Sequence, residues 1–305
     1  MEQVGASILT WLLLATAIVA AFSDIKQQRL MWFWPFVATI VSAVYFNQLT
    51  AIGVIWIVVG GTAALAMRRA KNLKIKLALN LTLVIWMIAL AAHMLPGFNN
   101  LLVLNSVHAS ALSLPFTLYL NIDKPILFFV LLLMVPTLLM SNHCTVGSTE
   151  AVGDGQQNKV SPILLPILKQ PKNRILLLMS LFVLLFIVAT GAELIKPDIK
   201  VPDWWWLFVF NNLLFTCVAE EAFFRGFIQQ ALVKKYGAVF ALLCTSMLFG
   251  VAHFAGGIAY VGVATIAGLL YGLAHYWYKN LLMPVLLHFL VNFVHLIVFT
   301  YPLAV

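Results

Sequence analysis

Apolar residues run along this chain in ten blocks separated by short polar breaks. The blocks fall at approximately 6–22, 30–46, 50–67, 77–94, 125–140, 175–194, 204–225, 238–253, 257–277 and 281–300. A helix needs roughly 20 apolar residues to cross the hydrocarbon core, and several blocks are a little shorter, so their ends are set only to within a few residues. The pattern predicts an all-α fold, a polytopic transmembrane helix bundle of about ten membrane segments. The first block has Glu2 and no Lys or Arg ahead of it, which reads as an uncleaved anchor rather than a signal peptide.

One break stands apart from the others. Residues 141–174 form the longest polar stretch, rich in Gly, Ser, Asn and Gln, and divide the chain into a 1–140 membrane region of about five helices, a 141–174 linker and a 175–305 membrane region. Within the linker, Ser161–Leu168 reads as a surface-lying segment or plain linker. No inverted repeat of the kind that marks many transporters is visible.

Composition agrees with the blocks. Of the 305 residues 63% are hydrophobic and 9% charged, and the mean hydropathy is +1.01, values that belong to an integral membrane protein and not to a set of water-soluble domains. The net charge of +8 changes the picture only through its distribution. Lys26, Arg29, Arg68, Arg69, Lys71, Lys74, Lys76, Lys159, Lys169, Lys172, Arg174, Lys234, Lys235 and Lys279 occupy alternate loops; the other loops hold only Lys124, Lys196 and Lys200. This is the positive-inside asymmetry, with the N-terminus outside, the 141–174 linker cytoplasmic and Trp204-Trp205-Trp206 at the outer interface. It argues for a lipid bilayer as partner and against nucleic acid. Cys144, Cys217 and Cys244 are widely spaced and form neither a disulfide framework nor a CxxC motif.

Of the ten carboxylates, only Glu220 and Glu221 lie well inside an apolar block. An ionisable group at membrane depth is costly unless paired or wet, and its default reading is functional. Helix geometry splits the pair. Glu221 and Arg225 are four apart and can form an ion pair; Glu220 is rotated by about 100° and has no obvious cation. One neutralised carboxylate and one free carboxylate suit acid/base chemistry. The second half also supplies partners: His253 at the end of Phe249-Gly-Val-Ala-His253, and His288 with Asn292 on one face of the last block. Blocks seven and eight read as a hairpin about Tyr236-Gly237, with Gly237 ending the helix. Glu220 and His253 lie 17 and 16 residues from it, so both sit at a depth of about 24 Å. His288, about nine residues from Lys279, meets them only if the first hairpin projects about two turns further. His93, His108 and His275 read as packing or hydrogen-bonding residues, Asn211-Asn212 as interhelical hydrogen bonders, and His295 as a residue standing behind the His288–Asn292 stripe.

Glu220-Glu221-x-x-x-Arg225, Phe249-x-x-x-His253 and His288-x-x-x-Asn292, in this order on neighbouring apolar blocks, resemble the motif set of the CPBP family of CAAX-type prenyl endopeptidases and bacteriocin-processing, Abi-like intramembrane proteases. The resemblance covers roughly 175–305 and implies a catalytic membrane domain there, leaving the role of 1–140 unassigned. It implies an intramembrane endopeptidase acting on a membrane-associated peptide or protein. Glu220 would activate a water, as a desolvated carboxylate is suited to do, and His253 would help hold that water or shuttle its proton. His288 and Asn292 would face the oxyanion, while Glu221 and Arg225 would compensate charge. The family is argued both with and without metal. On the residues, Glu220, His253 and His288 could ligate zinc, but HExxH is absent and Asn292 suits an oxyanion hole, so the expectation is a glutamate-type enzyme with no cofactor. The alternatives are a non-enzymatic membrane partner or immunity protein, and a proton-coupled transporter relaying protons through Glu220. The expected location is a bacterial inner membrane, with the site reached from the cytoplasm or the inner leaflet.

Overall fold

The structure, a computed structural model, describes residues 2–24, 30–140 and 170–305, with side chains from residue 8 onward. Lys26, Arg29, Cys144, Lys159, Lys169 and the linker as far as residue 169, including Ser161–Leu168, lie outside the described residues.

The apolar blocks fold as helices. The first half contributes α1 (Glu2–Ser23), α2 (Phe33–Tyr45), α3 (Ala51–Arg69), α4 (Leu73–Ala91) and α5 (Asp123–Met134). The second half begins with α6 (Pro171–Gly191). A continuous helical run over Trp205–Tyr236 follows, made of α7 (Trp205–Asn211), a π-helical stretch at Asn212–Cys217, α8 (Val218–Glu221), a second π-helical stretch at Ala222–Gln229 and α9 (Gln230–Tyr236). It is followed by α10 (Ala238–Ala252), α11 (Ile258–Tyr278) and α12 (Leu282–Val298). Gly237, at φ +87°, ends α9 in a conformation that side-chain-bearing residues rarely adopt.

The protein is an all-α membrane bundle. Its helices present Ile55, Leu81, Ile187 and Met247, each more than half exposed, as an apolar exterior that fits lipid rather than water. Five helical runs among the described residues are long and apolar enough to cross a membrane: Ala51–Arg69, Leu73–Ala91, Pro171–Gly191, Trp205–Tyr236 and Ile258–Tyr278. The expected count of about ten crossings is therefore not reached by length alone. The 12-residue α5, for example, is about 18 Å long, against a core of about 30 Å.

That short helix organises the interior. α5 is apolar all round, as a fully enclosed helix should be, and Ile126, Phe128 and Leu131 have no exposed surface. It shares one buried cluster with Trp11, Leu14 and Trp86 from the first half and with Phe215, Cys217, Val218 and Ala222 from the second. A second cluster joins α6 to Phe224, Phe249, Leu270, Tyr271 and Val291. α10 and α11 approach closely through small residues: a Cβ on Gly268 would lie 3.0 Å from the Ser246 backbone, and one on Gly250 only 2.0 Å from Thr265 Oγ1. Membrane helices commonly pack in this way.

One end of the bundle is closed by structure that the block pattern did not announce. β1 (Leu101–Val107) and β2 (Phe116–Leu120) form an antiparallel hairpin with Leu101 opposite Leu120 and Val107 opposite Phe116. The C-terminal tail joins it, Val305 N donating to Leu112 O and Ala304 N to Leu194 O. The 192–204 loop is tied in as Asp198 N donates to Val298 O and Asp198 Oδ2 accepts from Ser110 Oγ. Two of the three cations in the sparsely charged loops are engaged here. Lys196 Nζ donates to Val305 O, and Lys200 donates to Phe299 O and lies 3.3 Å from Asp198. Burial pushes the Lys200 ammonium below its ordinary range, and Asp198 opposes that shift.

Candidate active site

Glu220 and Glu221 occupy the short α-helical step between the two π-helical stretches. Such local widening of a helix is frequent at functional sites, and here it flanks the carboxylate pair on both sides. The i, i+4 pair forms as the spacing predicts: Arg225 Nη1 donates to Glu221 Oε1 at 3.1 Å, with both side chains fully buried. Arg225 Nη2 donates to the Gly268 carbonyl at 3.0 Å. Its guanidinium carbon lies 4.5 Å from the Phe249 ring centre and 5.3 Å from that of Tyr271, so the charge is held by a carboxylate, a carbonyl and two aromatic faces.

His288 also goes to Glu221. Its Nδ1 donates to Glu221 Oε1 at 2.8 Å, and its ring stacks on Tyr271 at 4.6 Å. Asn292, one turn on, donates through Nδ2 to Asn212 Oδ1 at 3.2 Å; Asn212 is thus an interhelical hydrogen bonder, as its sequence context predicts. These contacts set the relative height of the helices. With His288 beside Glu221 and Asn292 beside Asn212 and Cys217, Leu282 lies about level with Phe227. The remaining nine residues to Tyr236 then project by about 13 Å beyond the start of α12, which is the offset the two hairpins need.

Glu220 is differently placed. Its side chain is 21% exposed, and it lines a cavity of about 420 Å³ together with His253, Lys124, Leu127, Phe223 and Phe224, bordered by Met87, Ile88 and Ala91 of α4 and by Ala92 just after it. The sequence expectation of no obvious cation for Glu220 is overturned. Lys124 Nζ lies 3.8 Å from Glu220 Oε1, with its own side chain 26% exposed. Lys124 stands at the start of α5, almost a hundred residues upstream, and its only sequence signal was a charge at the mouth of an apolar block. The site stands halfway along the Trp205–Tyr236 run. Thr137 and Gln230 contact each other near the cationic end, and Glu220 stands ten residues, about 15 Å, from Gln230 and sixteen, about 24 Å, from Trp204.

His253 joins two spaces. Its Nδ1 donates to the Phe249 carbonyl at 2.7 Å, which leaves Nε2 for other partners. It lines the large cavity and also a second one of about 60 Å³ shared with Tyr260, Tyr271, His288, Asn292 and His295. Glu220 therefore faces the larger space, and His288 and Asn292 the smaller. Phe249 explains its place in the motif: its ring lies 4.6 Å from His253 and 5.6 Å from His288, beneath the Arg225 guanidinium. Three other histidines bond elsewhere, His295 to the Thr300 carbonyl, His93 to Asp123 and His108 to the Ser113 carbonyl.

Among the described residues, no three His, Cys, Asp or Glu side chains gather closely enough to hold a metal ion. The trio weighed for zinc, Glu220, His253 and His288, does not form such a group. Glu220 lines the larger cavity and His288 the smaller, with His253 bordering both.

Comparison with known families gives a match. Residues 202–294 fit the family model described as type II CAAX prenyl endopeptidase Rce1-like, a span that holds all three motifs and every candidate residue from Glu220 to Asn292. No curated protein and no solved structure matches the chain.

Proposed function

We propose, from the premise that residues 202–294 belong to the type II CAAX prenyl endopeptidase family and that the chain is an integral membrane protease, that Glu220 is its water-activating base. The observation that carries this reading is the division of labour between adjacent carboxylates. Glu221 is fully buried and bonded to Arg225 and His288, while Glu220 faces a cavity large enough for several residues of a peptide.

In the reaction, water held between Glu220 and His253 Nε2 attacks the scissile carbonyl carbon. A C–O bond forms, the carbonyl π pair moves onto oxygen, and the water proton passes to Glu220. Collapse of the tetrahedral intermediate breaks the C–N bond, and Glu220 returns the proton to the departing amine. We assign the oxyanion to Asn292, which turns one amide N–H away from its long 3.9 Å contact with Cys217 Sγ, and to Nε2 of His288, which donates there only when the ring carries a proton on both nitrogens. Glu221 and Arg225 hold the frame. The apolar walls of the cavity and its membrane setting favour a membrane-associated protein or peptide as substrate. A proton-coupled transporter would also use a carboxylate facing a pocket, but neither it nor a non-enzymatic membrane partner accounts for the protease-family match over residues 202–294.

Two measurements test the proposal. Glu220→Gln should abolish cleavage of an internally quenched peptide library while thermal unfolding stays near wild type, and retained cleavage by the purified variant would refute the base assignment. Activity should also survive exhaustive chelation. About one zinc per chain by elemental analysis, lost in both His253→Ala and His288→Ala, would instead establish a metal enzyme.

A further inference from the structure

The cavity that Glu220 faces is built only in part by the family segment. Met87, Ile88, Ala91, Ala92, Lys124 and Leu127 come from the first half of the chain, outside the residues 202–294 that match the family. Among these, Lys124 carries the charge. Its ammonium lies 3.8 Å from Glu220 Oε1, beyond hydrogen-bond range, and it borders a space whose lining, apart from Lys124, Glu220 and His253, is apolar. The backbone beneath it is fixed. Lys124 N accepts its place from the Asp123 carboxylate, donating to Oδ1 at 2.9 Å, while Asp123 Oδ2 is bonded to His93 Nδ1. Asp123 is itself 1% exposed, so the lysine stem rises from a rigid base at the end of an enclosed helix.

We infer that Lys124 is a catalytic residue, contributed by the N-terminal half, that stabilises the negative charge developing on the scissile carbonyl oxygen. The inference rests on Glu220 being the base. A water activated by Glu220 sits about 3 Å from its carboxylate, and the carbonyl it attacks lies about 3 Å further. An ammonium within 4 Å of that carboxylate reaches the position where the oxyanion forms. A cation facing a largely apolar cavity gains in effect as the bound peptide displaces water from it. It acts beside the donors assigned above, His288 and Asn292, which open onto the smaller cavity. Lys124 is the cation on the Glu220 side. Once water has surrendered its proton to Glu220, the attraction of the ammonium for that carboxylate falls as the oxyanion appears, so the lysine's interaction strengthens where the transition state needs it.

The test uses the full chain in detergent and the best-cleaved member of a quenched peptide library prepared with and without S-farnesyl cysteine. Lys124→Met should lower kcat by about 100-fold with KM changed less than about threefold, the size seen when one oxyanion donor is removed. Lys124→Arg, which keeps the charge, should recover at least about tenfold of that loss, a rescue a packing role would not give. If the methionine variant does not fold, Lys124→Gln is read in its place. An unchanged kcat in Lys124→Met with Glu220→Gln inactive overturns the lysine alone. A loss confined to KM, or equal losses in Lys124→Met and Lys124→Arg, also overturns it. Equal cleavage by wild type and Glu220→Gln removes the base and, with it, this role for Lys124.

Discussion

Replacing Arg225 by alanine withdraws the group that donates to Glu221 and to the Gly268 carbonyl and rests on the Phe249 ring. A fully buried carboxylate is then left with His288 as its single partner. Breaking such a pair from one side costs about 3–5 kcal/mol, so Arg225→Ala should unfold at markedly lower temperature, measured by thermal unfolding in detergent, and lose activity as a consequence. Glu221→Gln should behave in the same way. Glu220→Gln should not, because its side chain is partly exposed and its cationic neighbour sits at 3.8 Å. Stability loss in Glu220→Gln matching that of Arg225→Ala would mean that the two carboxylates share one structural role. The i, i+4 rule made the Glu221–Arg225 contact readable from sequence, and the same rule left Glu220 apart. What local spacing could not supply was Lys124, because a pairing across 96 residues depends on how α5 is seated. The assignment of His288 to Glu221 was out of reach for the same reason.

Between elements, the interface of α10 and α11 depends on the absence of side chains. Gly268→Val would drive a Cβ to 3.0 Å from the Ser246 backbone, and Gly250→Val to 2.0 Å from Thr265 Oγ1 and 2.7 Å from the Val261 carbonyl. Backbone cannot yield as a flexible side chain can. Each substitution should cost about 1–3 kcal/mol and displace Phe249 and His253, seen as loss of cleavage together with a lower unfolding temperature. Gly262→Ala is the control: nothing lies within 4 Å of its Cβ position, and alanine should leave α11 unchanged or firmer by up to about 1 kcal/mol. A destabilised Gly262→Ala would show that the helices are packed differently. Helix positions were legible because apolar runs between polar breaks have few alternatives in lipid. The hairpin of β1 and β2 was not. Leu101–Val107 and Phe116–Leu120 lie beyond the block ending near 94, and their pairing has two register irregularities that blur any simple alternation. The π-helical widening around Glu220 is equally invisible, since it changes which carbonyl each amide meets and not which residues are apolar.

At the scale of the whole molecule, charge asymmetry makes a prediction about sidedness. Single cysteines in a cysteine-free background, probed with a membrane-impermeant thiol reagent from outside, should label at Ile199 and Val305, which are 84% and 73% exposed, and stay unlabelled at Lys71 and Lys235. Inverted labelling would turn the bundle over and direct its substrates to the opposite face. The enclosure of α5 bears on something else, the order in which the protein is made. A ribosome delivers α5 to the membrane before any of Phe215, Val218 or Ala222 exists, and at 12 residues it is too short to hold a transmembrane position alone. Its final seat is therefore taken after synthesis of the second half, when the late helices arrive to clasp it, and catalytic competence becomes a late event in biogenesis. Two separately translated pieces, cut within 141–169 and co-expressed, should then find each other through α5 and recover peptide cleavage. Either piece expressed alone should be inactive, and an active C-terminal piece would show that the early helices are bystanders.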